Sequence, residues 1–200
     1  MSTPVAASVL RYRPPQARKD ATAWLGMVVF LASWTMMFAA LFAAYAALRL
    51  RVEQWPPADL PRLPLVLPLA NTLAIAASSV AIQAGLRAAR QGRQAAVLPA
   101  VAAALALGAI FVGGQVALWT GLWRAGLRPD GGPFPSVFYA LTVFHALHVL
   151  VGLGGLAWAV VRAARLAFGP ARHLGLRLWT GYWHFVLAMW LLLYVTVFLL

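Results

Sequence analysis

A chain of 200 residues that is 63% hydrophobic and only 10% charged is not a water-soluble domain, since such domains carry about 25% charged residues. A net charge of +12 is compatible with nucleic-acid binding, but the basic residues lie between apolar segments, where they fix membrane topology and contact lipid headgroups. The lack of cysteine excludes disulfides and thiolate metal sites. The composition therefore predicts a membrane protein that binds lipid and no nucleic acid.

Five continuous apolar segments are each long enough to cross about 30 Å of hydrocarbon as a helix. Membrane-spanning strands would instead alternate apolar and polar residues. The predicted spans are residues 23–48, 63–86, 95–123, 135–161 and 178–200. Because the connectors are short, the sequence predicts an all-α, polytopic membrane protein. A single five-helix bundle, residues 23–200, follows a short basic cytoplasmic tail, residues 1–22.

The basic residues cluster on one side of these spans. Eleven of the 16 fall in the tail and in the second-to-third and fourth-to-fifth connectors: Arg11, Arg13, Arg18, Lys19, Arg87, Arg90, Arg93, Arg162, Arg165, Arg172 and Arg177. The opposite connectors contain three of the four acidic residues, Glu53, Asp59 and Asp130. The positive-inside rule predicts a cytoplasmic N-terminus and a periplasmic C-terminus. The first span is too long for a cleaved signal, so we expect an uncleaved signal-anchor.

The second span carries its polar side chains on one helical stripe. These residues are Asn71, Thr72, Ser78, Ser79 and Gln83. A polar stripe at membrane depth is expected to face other helices, where amides and hydroxyls find hydrogen-bonding partners that lipid does not offer. A transport path is the alternative interpretation.

Small residues recur four positions apart in the first and third spans. They are Ala39, Ala43 and Ala47 in the first, and Ala104, Gly108, Ala109 and Gly113 in the third. Such spacing lets helix backbones approach closely in membranes. The pattern predicts tight helix packing on both spans.

Three of the four histidines lie in predicted spans. His145 and His148 are three residues apart and share nearly one helical face, and His184 follows Trp183 in the last span. Two histidines one turn apart can ligate a metal ion, which would suggest a haem or copper centre. However, the predicted spans contain no Asp, Glu or Cys to complete a metal site or a proton relay. Hydrogen bonding to neighbouring helices is the favoured interpretation.

A family resemblance sharpens this interpretation. "GYWHFVLAMWLLLYV" resembles the final helix of subunit III of the haem-copper oxidases, which typically reads YWHFVDVVWLFLY, and "FHALHVLVGL" resembles its HGLHVIIG stretch. "WLGMVVFLASWTMMFAALFAAYAALR" is similar to its first common helix. "LPLVLPLANTLAIAASS", with Asn71, and "FVGGQVALW", with Gln115, are similar to its next two helices. The similarity covers residues 24–200 in order and matches the short five-span bacterial form.

The chain departs from this family at three intramembrane carboxylates. Trp34, Leu118 and Leu187 stand where the family has two glutamates and an aspartate. In family members the first glutamate lies near the paired histidines. We therefore expect Trp34 to face His148, and a neutral His148 to bond a hydroxyl, an amide or the Trp34 indole.

The resemblance implies a non-catalytic accessory subunit of a respiratory terminal oxidase in aerobic electron transport, multi-pass in a bacterial inner membrane. It implies no catalytic, cofactor or metal residues here, haem and copper in the partner catalytic subunit I, and bound phospholipid. Subunits II and IV are further expected partners. The structural motif positions are Asn71, Gln115, His145, His148, Trp183, His184 and Trp34.

Three other functions stay open at this point. The least favoured is a metal-binding membrane redox protein, which would show haem absorbance when purified alone. Two more remain. One is a subunit-III-like protein that accompanies a nitric oxide reductase, where no proton pump needs support. The other is a small transporter or lipid-handling protein, which is expected to show an inverted repeat or broken helices. The sequence leaves the electron donor, cytochrome c or quinol, and the acceptor undecided.

Overall fold

The computed structural model describes residues 15–51, 54–57, 60–61 and 63–199. It contains five long helices: α1 Pro15–Arg49, α2 Val66–Arg90, α3 Gln94–Arg124, α4 Pro133–Ala164 and α5 Leu174–Tyr194. The helix α5 continues as a short π-helical segment, Val195–Leu199. All five are long and apolar enough to cross a membrane. This confirms the all-α five-span prediction, while residues 1–14, Glu53, Asp59, Arg62 and Leu200 lie outside the described residues.

The helix ends differ from the predicted span ends. Helix α1 begins at Pro15 and α5 at Leu174, several residues before the predicted starts at residues 23 and 178, and α2 begins later, at Val66. Hydrophobicity marks the part of a helix that lies in hydrocarbon, but a helix continues into the headgroup region with polar residues. Hydropathy therefore locates the spans better than their helix boundaries.

Three helices end with the same hydrogen-bonded motif. After α2, the amides of Gly92 and Arg93 donate to the carbonyls of Ala89 and Ala88. Helix α3 ends likewise around Gly126, and both glycines have positive φ, +71° and +94°. This is the Schellman pattern, in which a left-handed residue closes the last turn. Helix α4 ends in the same way but with Leu166 at φ +52°, a conformation that disfavours a side chain.

Helices α2, α3, α4 and α5 form a ring, in which α2 packs on α3 and α5, and α4 packs on α3 and α5. Helix α1 lies outside the ring and contacts α4 and α5. Only Phe38 and Tyr45 of its described side chains are buried. The Tyr45 hydroxyl donates to the Thr196 carbonyl at 3.0 Å and accepts the Trp55 indole N–H at 3.0 Å. Helix α1 therefore packs against α4 and α5 along one side only.

The small residues divide between buried and exposed surfaces. Ala104 and Gly108 are buried in the ring, as their spacing predicts. Ala39, Ala43 and Ala47 of α1, and Ala109 and Gly113 of α3, are exposed. The prediction of tight packing within the chain is therefore wrong for these five residues. The spacing indicates that a close approach is sterically possible, but not that a neighbouring helix is present.

Candidate functional site

Trp183 is the centre of a tightly packed cluster, which we call the Trp183 node. Its indole Nε1 donates to the Ser78 hydroxyl at 3.0 Å, and that hydroxyl donates to the Ala104 carbonyl at 2.7 Å. Two glycines make room for the ring: a Cβ on Gly152 would lie 2.6 Å from it, and one on Gly108 2.8 Å. One fully buried side chain of α5 thereby joins α2, α3 and α4.

The polar stripe of α2 faces α5, as its interpretation as an interhelical surface predicts. The Thr72 hydroxyl accepts the Trp190 indole N–H at 2.9 Å. With its proton placed on Nε2, His184 donates to Gln83 Oε1 at 3.1 Å, and its Nδ1 accepts the Ser79 hydroxyl at 2.5 Å. Both ring nitrogens of His184 therefore have partners on α2, although the side chain itself is exposed.

Trp34 and His148 are in contact, with ring centroids 3.5 Å apart and planes at 88°. The bond made by His148 differs from the expected one. Its Nδ1 donates to the backbone carbonyl of Phe144, one turn earlier in α4, and not to a hydroxyl, an amide or the Trp34 indole. That carbonyl belongs to the same helix, so this bond needs no neighbouring helix. The buried Nε2 of His148 has no hydrogen-bond partner among the described residues.

A second group of buried polar side chains is unpaired, and we call it the polar layer: Asn71, Gln115 and His145. Asn71 Nδ2, both side-chain polar atoms of Gln115 and both ring nitrogens of His145 have no partner among the described residues. His145 instead lies against aromatic rings, with centroids 5.9 Å from Phe111 and 5.4 Å from Trp190.

The three residues of the polar layer lie at one depth in the bundle. Helices α3 and α4 are antiparallel and touch at two levels: Trp119 donates to Thr142, and Gly108 lies close to Leu153. Between these two contacts, Gln115 of α3 lies at the level of His145 of α4. Asn71 lies against Gly114, the residue before Gln115. Among the described residues no group of three or more His, Cys, Asp or Glu could hold a metal ion. The polar layer therefore consists of buried hydrogen-bonding groups that are unpaired among the described residues.

A basic groove lies where α1, α4 and α5 meet at the end of the bundle, and we call it the Trp24 groove. It encloses about 450 Å³ and is lined by Asp20, Trp24, Trp158, Arg162, Arg172 and Arg177, among others. The Arg177 guanidinium lies 4.9 Å from the centroid of the Trp24 ring, and that of Arg162 lies 5.6 Å from the Trp158 ring. Cation–π contacts of this kind hold arginine at the membrane interface.

Sequence reasoning missed the Trp24 groove. The arginines indicated membrane topology and general contact with lipid headgroups, and Trp24 was simply part of the first predicted span, so no groove was predicted. The signal that would have found the groove is that Trp24, Arg162 and Arg177 all fall at the same predicted membrane boundary.

The three positions where the resemblance expects carboxylates lie in different surroundings. Trp34 contacts His148, as described, and Leu118 is buried in the core. Leu187 is half-buried and lines a groove between α2 and α5 together with His184.

Comparison with known proteins identifies the family. Residues 17–200 match the family profile described as cytochrome c oxidase subunit III. The chain is 36% identical over 177 residues to cytochrome c oxidase subunit 3 of Thermostichus vulcanus, covering 88% of this chain and 86% of the relative. It is 34% identical over 176 residues to that of Synechocystis sp., covering 88% and 74%. A probable cytochrome c oxidase subunit 3 of Nocardia farcinica is 34% identical over 87% of this chain and 86% of its own length. The chain therefore belongs to the cytochrome c oxidase subunit III family, the non-catalytic accessory subunits of haem-copper oxidases.

Proposed function

We propose that this chain packs against the catalytic subunit I of a respiratory haem-copper oxidase in a bacterial inner membrane and holds phospholipid there. Subunits II and IV are further proposed partners. The observation that carries the proposal is the family match over residues 17–200, which includes all five membrane-spanning helices. The chain acts through its helix surfaces and performs no bond chemistry of its own.

The Trp24 groove is the proposed phospholipid headgroup site. Arg162, Arg172 and Arg177 line it, and arginine binds phosphate with a planar set of N–H donors. Trp24 and Trp158 supply the aromatic surface typical of the headgroup level. With the N-terminus in the cytoplasm, as the basic residues predict, this groove lies in the cytoplasmic leaflet, where anionic lipids add attraction.

Haem and copper are proposed to reside in the catalytic subunit. The described part of this chain has no group of three or more His, Cys, Asp or Glu that could hold a metal ion. The role of this chain toward those centres is to shield the catalytic subunit and to hold lipid beside it.

Two features bear on which oxidase the chain serves. The relatives are named cytochrome c oxidases, which favours cytochrome c as the electron donor over quinol. Trp34, Leu118 and Leu187 replace the carboxylates expected from the family pattern, which favours a complex whose proton uptake does not depend on this subunit. A nitric oxide reductase is such a complex and is the second candidate.

The test is a mild-detergent pull-down of the tagged chain from native membranes. Visible absorbance, mass spectrometry, phospholipid analysis and the consumption of oxygen or nitric oxide are then measured, with cytochrome c or quinol as donor. We expect a haem-copper catalytic subunit, phospholipid and oxygen consumption with cytochrome c. Nitric oxide consumption alone would move the chain to the reductase branch. A colourless chain recovered alone would overturn the proposal and favour a transporter or lipid-handling function.

A further inference from the structure

His184 differs from the other imidazole and amide side chains well inside the spans. Asn71, Gln115, His145 and His148 have exposed fractions of only 1–3%. His184, in contrast, is exposed, and Gln83 beside it is half-buried. Together with Ser79, Val80, Arg87 and Leu187 they line an open groove of about 390 Å³ between α2 and α5, which we call the His184 groove.

Lipid tails are a poor covering for this groove. The His184 ring nitrogens are paired, but an amide facing hydrocarbon loses its remaining hydrogen bonds to water without replacement. The exposed Ser33 and Thr35 avoid this cost, because each hydroxyl donates to a carbonyl of its own helix, at 2.8 and 2.9 Å. The Gln83 amide makes no such bond to its own helix. Its Oε1 accepts from His184, so its amide N–H groups remain available as donors at the groove.

The charge of the groove indicates the chemistry of its occupant. Arg87 lies on its lining, one turn beyond Gln83 toward the end of α2, and none of the lining residues carries a carboxylate. The groove therefore presents donors and a positive charge, and its complement presents acceptors and a negative charge. The groove is also lined by alanines at positions 76 and 84 of α2, small side chains that let a second helix approach closely.

We propose that the His184 groove is the surface on which a membrane-spanning helix of the catalytic subunit packs. That helix presents a hydrogen-bond acceptor to Gln83 and a carboxylate at the level of Arg87. This inference rests on the proposed function, since it assigns the face through which the accessory subunit meets its partner.

A photo-crosslinker tests the surface directly. In the test variant, p-benzoylphenylalanine replaces Val80, which lies in the groove and is 70% exposed. In the control variant it replaces Val151, which is 49% exposed on α4. Val151 is a matched control for depth, because its neighbour Gly152 contacts Trp183, the residue before His184. The tagged chain is irradiated in native membranes, and adducts are identified by mass spectrometry after purification of the complex.

We expect the catalytic subunit as the adduct from position 80 and lipid from position 151. If the catalytic subunit co-purifies but crosslinks from position 151, or if position 80 yields only lipid, the inference is overturned while the proposed function survives. If no catalytic subunit co-purifies with the unmodified chain, the proposed function fails and the inference fails with it.

A charge-removing pair tests the predicted carboxylate without a bulky probe. Arg87→Gln is compared with Arg165→Gln, an exposed arginine at the same end of the bundle, after α4. The measurement is the fraction of catalytic subunit retained on the tagged chain as detergent is increased. We expect roughly tenfold weaker retention for Arg87→Gln, because loss of one partner leaves a carboxylate unpaired, and unchanged retention for Arg165→Gln. Equal retention of both variants would overturn the carboxylate assignment.

Discussion

The Trp183 node and the polar layer lie about two helical turns apart in the same ring of helices, yet their polar groups differ in how they are satisfied. In the node, the Trp183 indole and the Ser78 hydroxyl form a chain of bonds that ends on a backbone carbonyl. In the polar layer, Gln115 and His145 are just as buried, but their polar atoms have no partners among the described residues. Burial alone therefore says little about stability. The node stabilises the bundle, whereas each unpaired group costs about 1–3 kcal/mol.

The largest loss of stability is expected when a new side chain is placed in the space that the Trp183 ring occupies. In Gly152→Leu, the new side chain would begin 2.6 Å from the Trp183 ring, and overpacking of this kind costs about 3 kcal/mol. Gly154→Leu is the control, since nothing lies within 4 Å of a Cβ there. Thermal unfolding of the purified complex in detergent measures both. Equal midpoints would show that the node is not tightly packed.

A smaller loss is expected when the indole itself is shortened. Trp183→Phe removes the bond to Ser78 and leaves part of the buried site empty, which should cost about 2 kcal/mol in the free energy of unfolding. Trp123→Phe changes the same atoms at a position that is 51% exposed and should cost less than half as much. Denaturant titration of the two variants provides the comparison. The node has no special role if Trp123→Phe is the more harmful change.

Replacing a member of the polar layer by an apolar residue should raise the free energy of unfolding, whereas the preceding changes lower it. Gln115→Met keeps the length of the side chain and eliminates two buried unpaired groups, so the free energy of unfolding should rise by about 1 kcal/mol. Ser78→Ala, which deletes a paired hydroxyl, should lower it by about 1 kcal/mol. Both are measured by chemical unfolding. A loss of stability in Gln115→Met would show that the buried amide is not unpaired in the folded chain.

The smallest difference, about 0.5 kcal/mol between two variants, separates hydrogen bonds between helices from hydrogen bonds within one helix. Thr72→Val removes the acceptor for the Trp190 indole and should cost about 1 kcal/mol. Thr35→Val removes only a bond to its own helix and should change stability by less than about 0.5 kcal/mol. Thermal midpoints of the two variants test this difference. Similar midpoints would indicate that the α2–α5 bond adds nothing beyond packing.

The features predicted correctly from the sequence are those set by periodicity and hydrophobicity. The five spans follow from continuous apolar segments, and the α2 stripe bonds to α5 as its spacing implies. The contact of Trp34 with His148 came from the family resemblance, since no local pattern links residues so far apart. The family role itself also depended on that resemblance.

Features that depend on exact neighbours were not predictable. The bond from His148 to the Phe144 carbonyl is one of several choices open to a helical histidine, and the residue pattern does not indicate which of them is made. The exposed alanines of α1 show the same limit, because spacing describes one helix surface and not the helix opposite it. The Trp24 groove required three helix ends to be placed side by side.

The outer position of α1 has a consequence for biosynthesis. Its neighbours within the chain are α4 and α5, and the Tyr45 hydroxyl bonds a carbonyl 151 residues later. At about 5–20 residues per second, α1 emerges from the ribosome on the order of ten seconds before α4, the first of these two neighbours to be made. During that interval it must remain in the bilayer as a solitary helix, and its mean hydropathy of 2.0 suits that period.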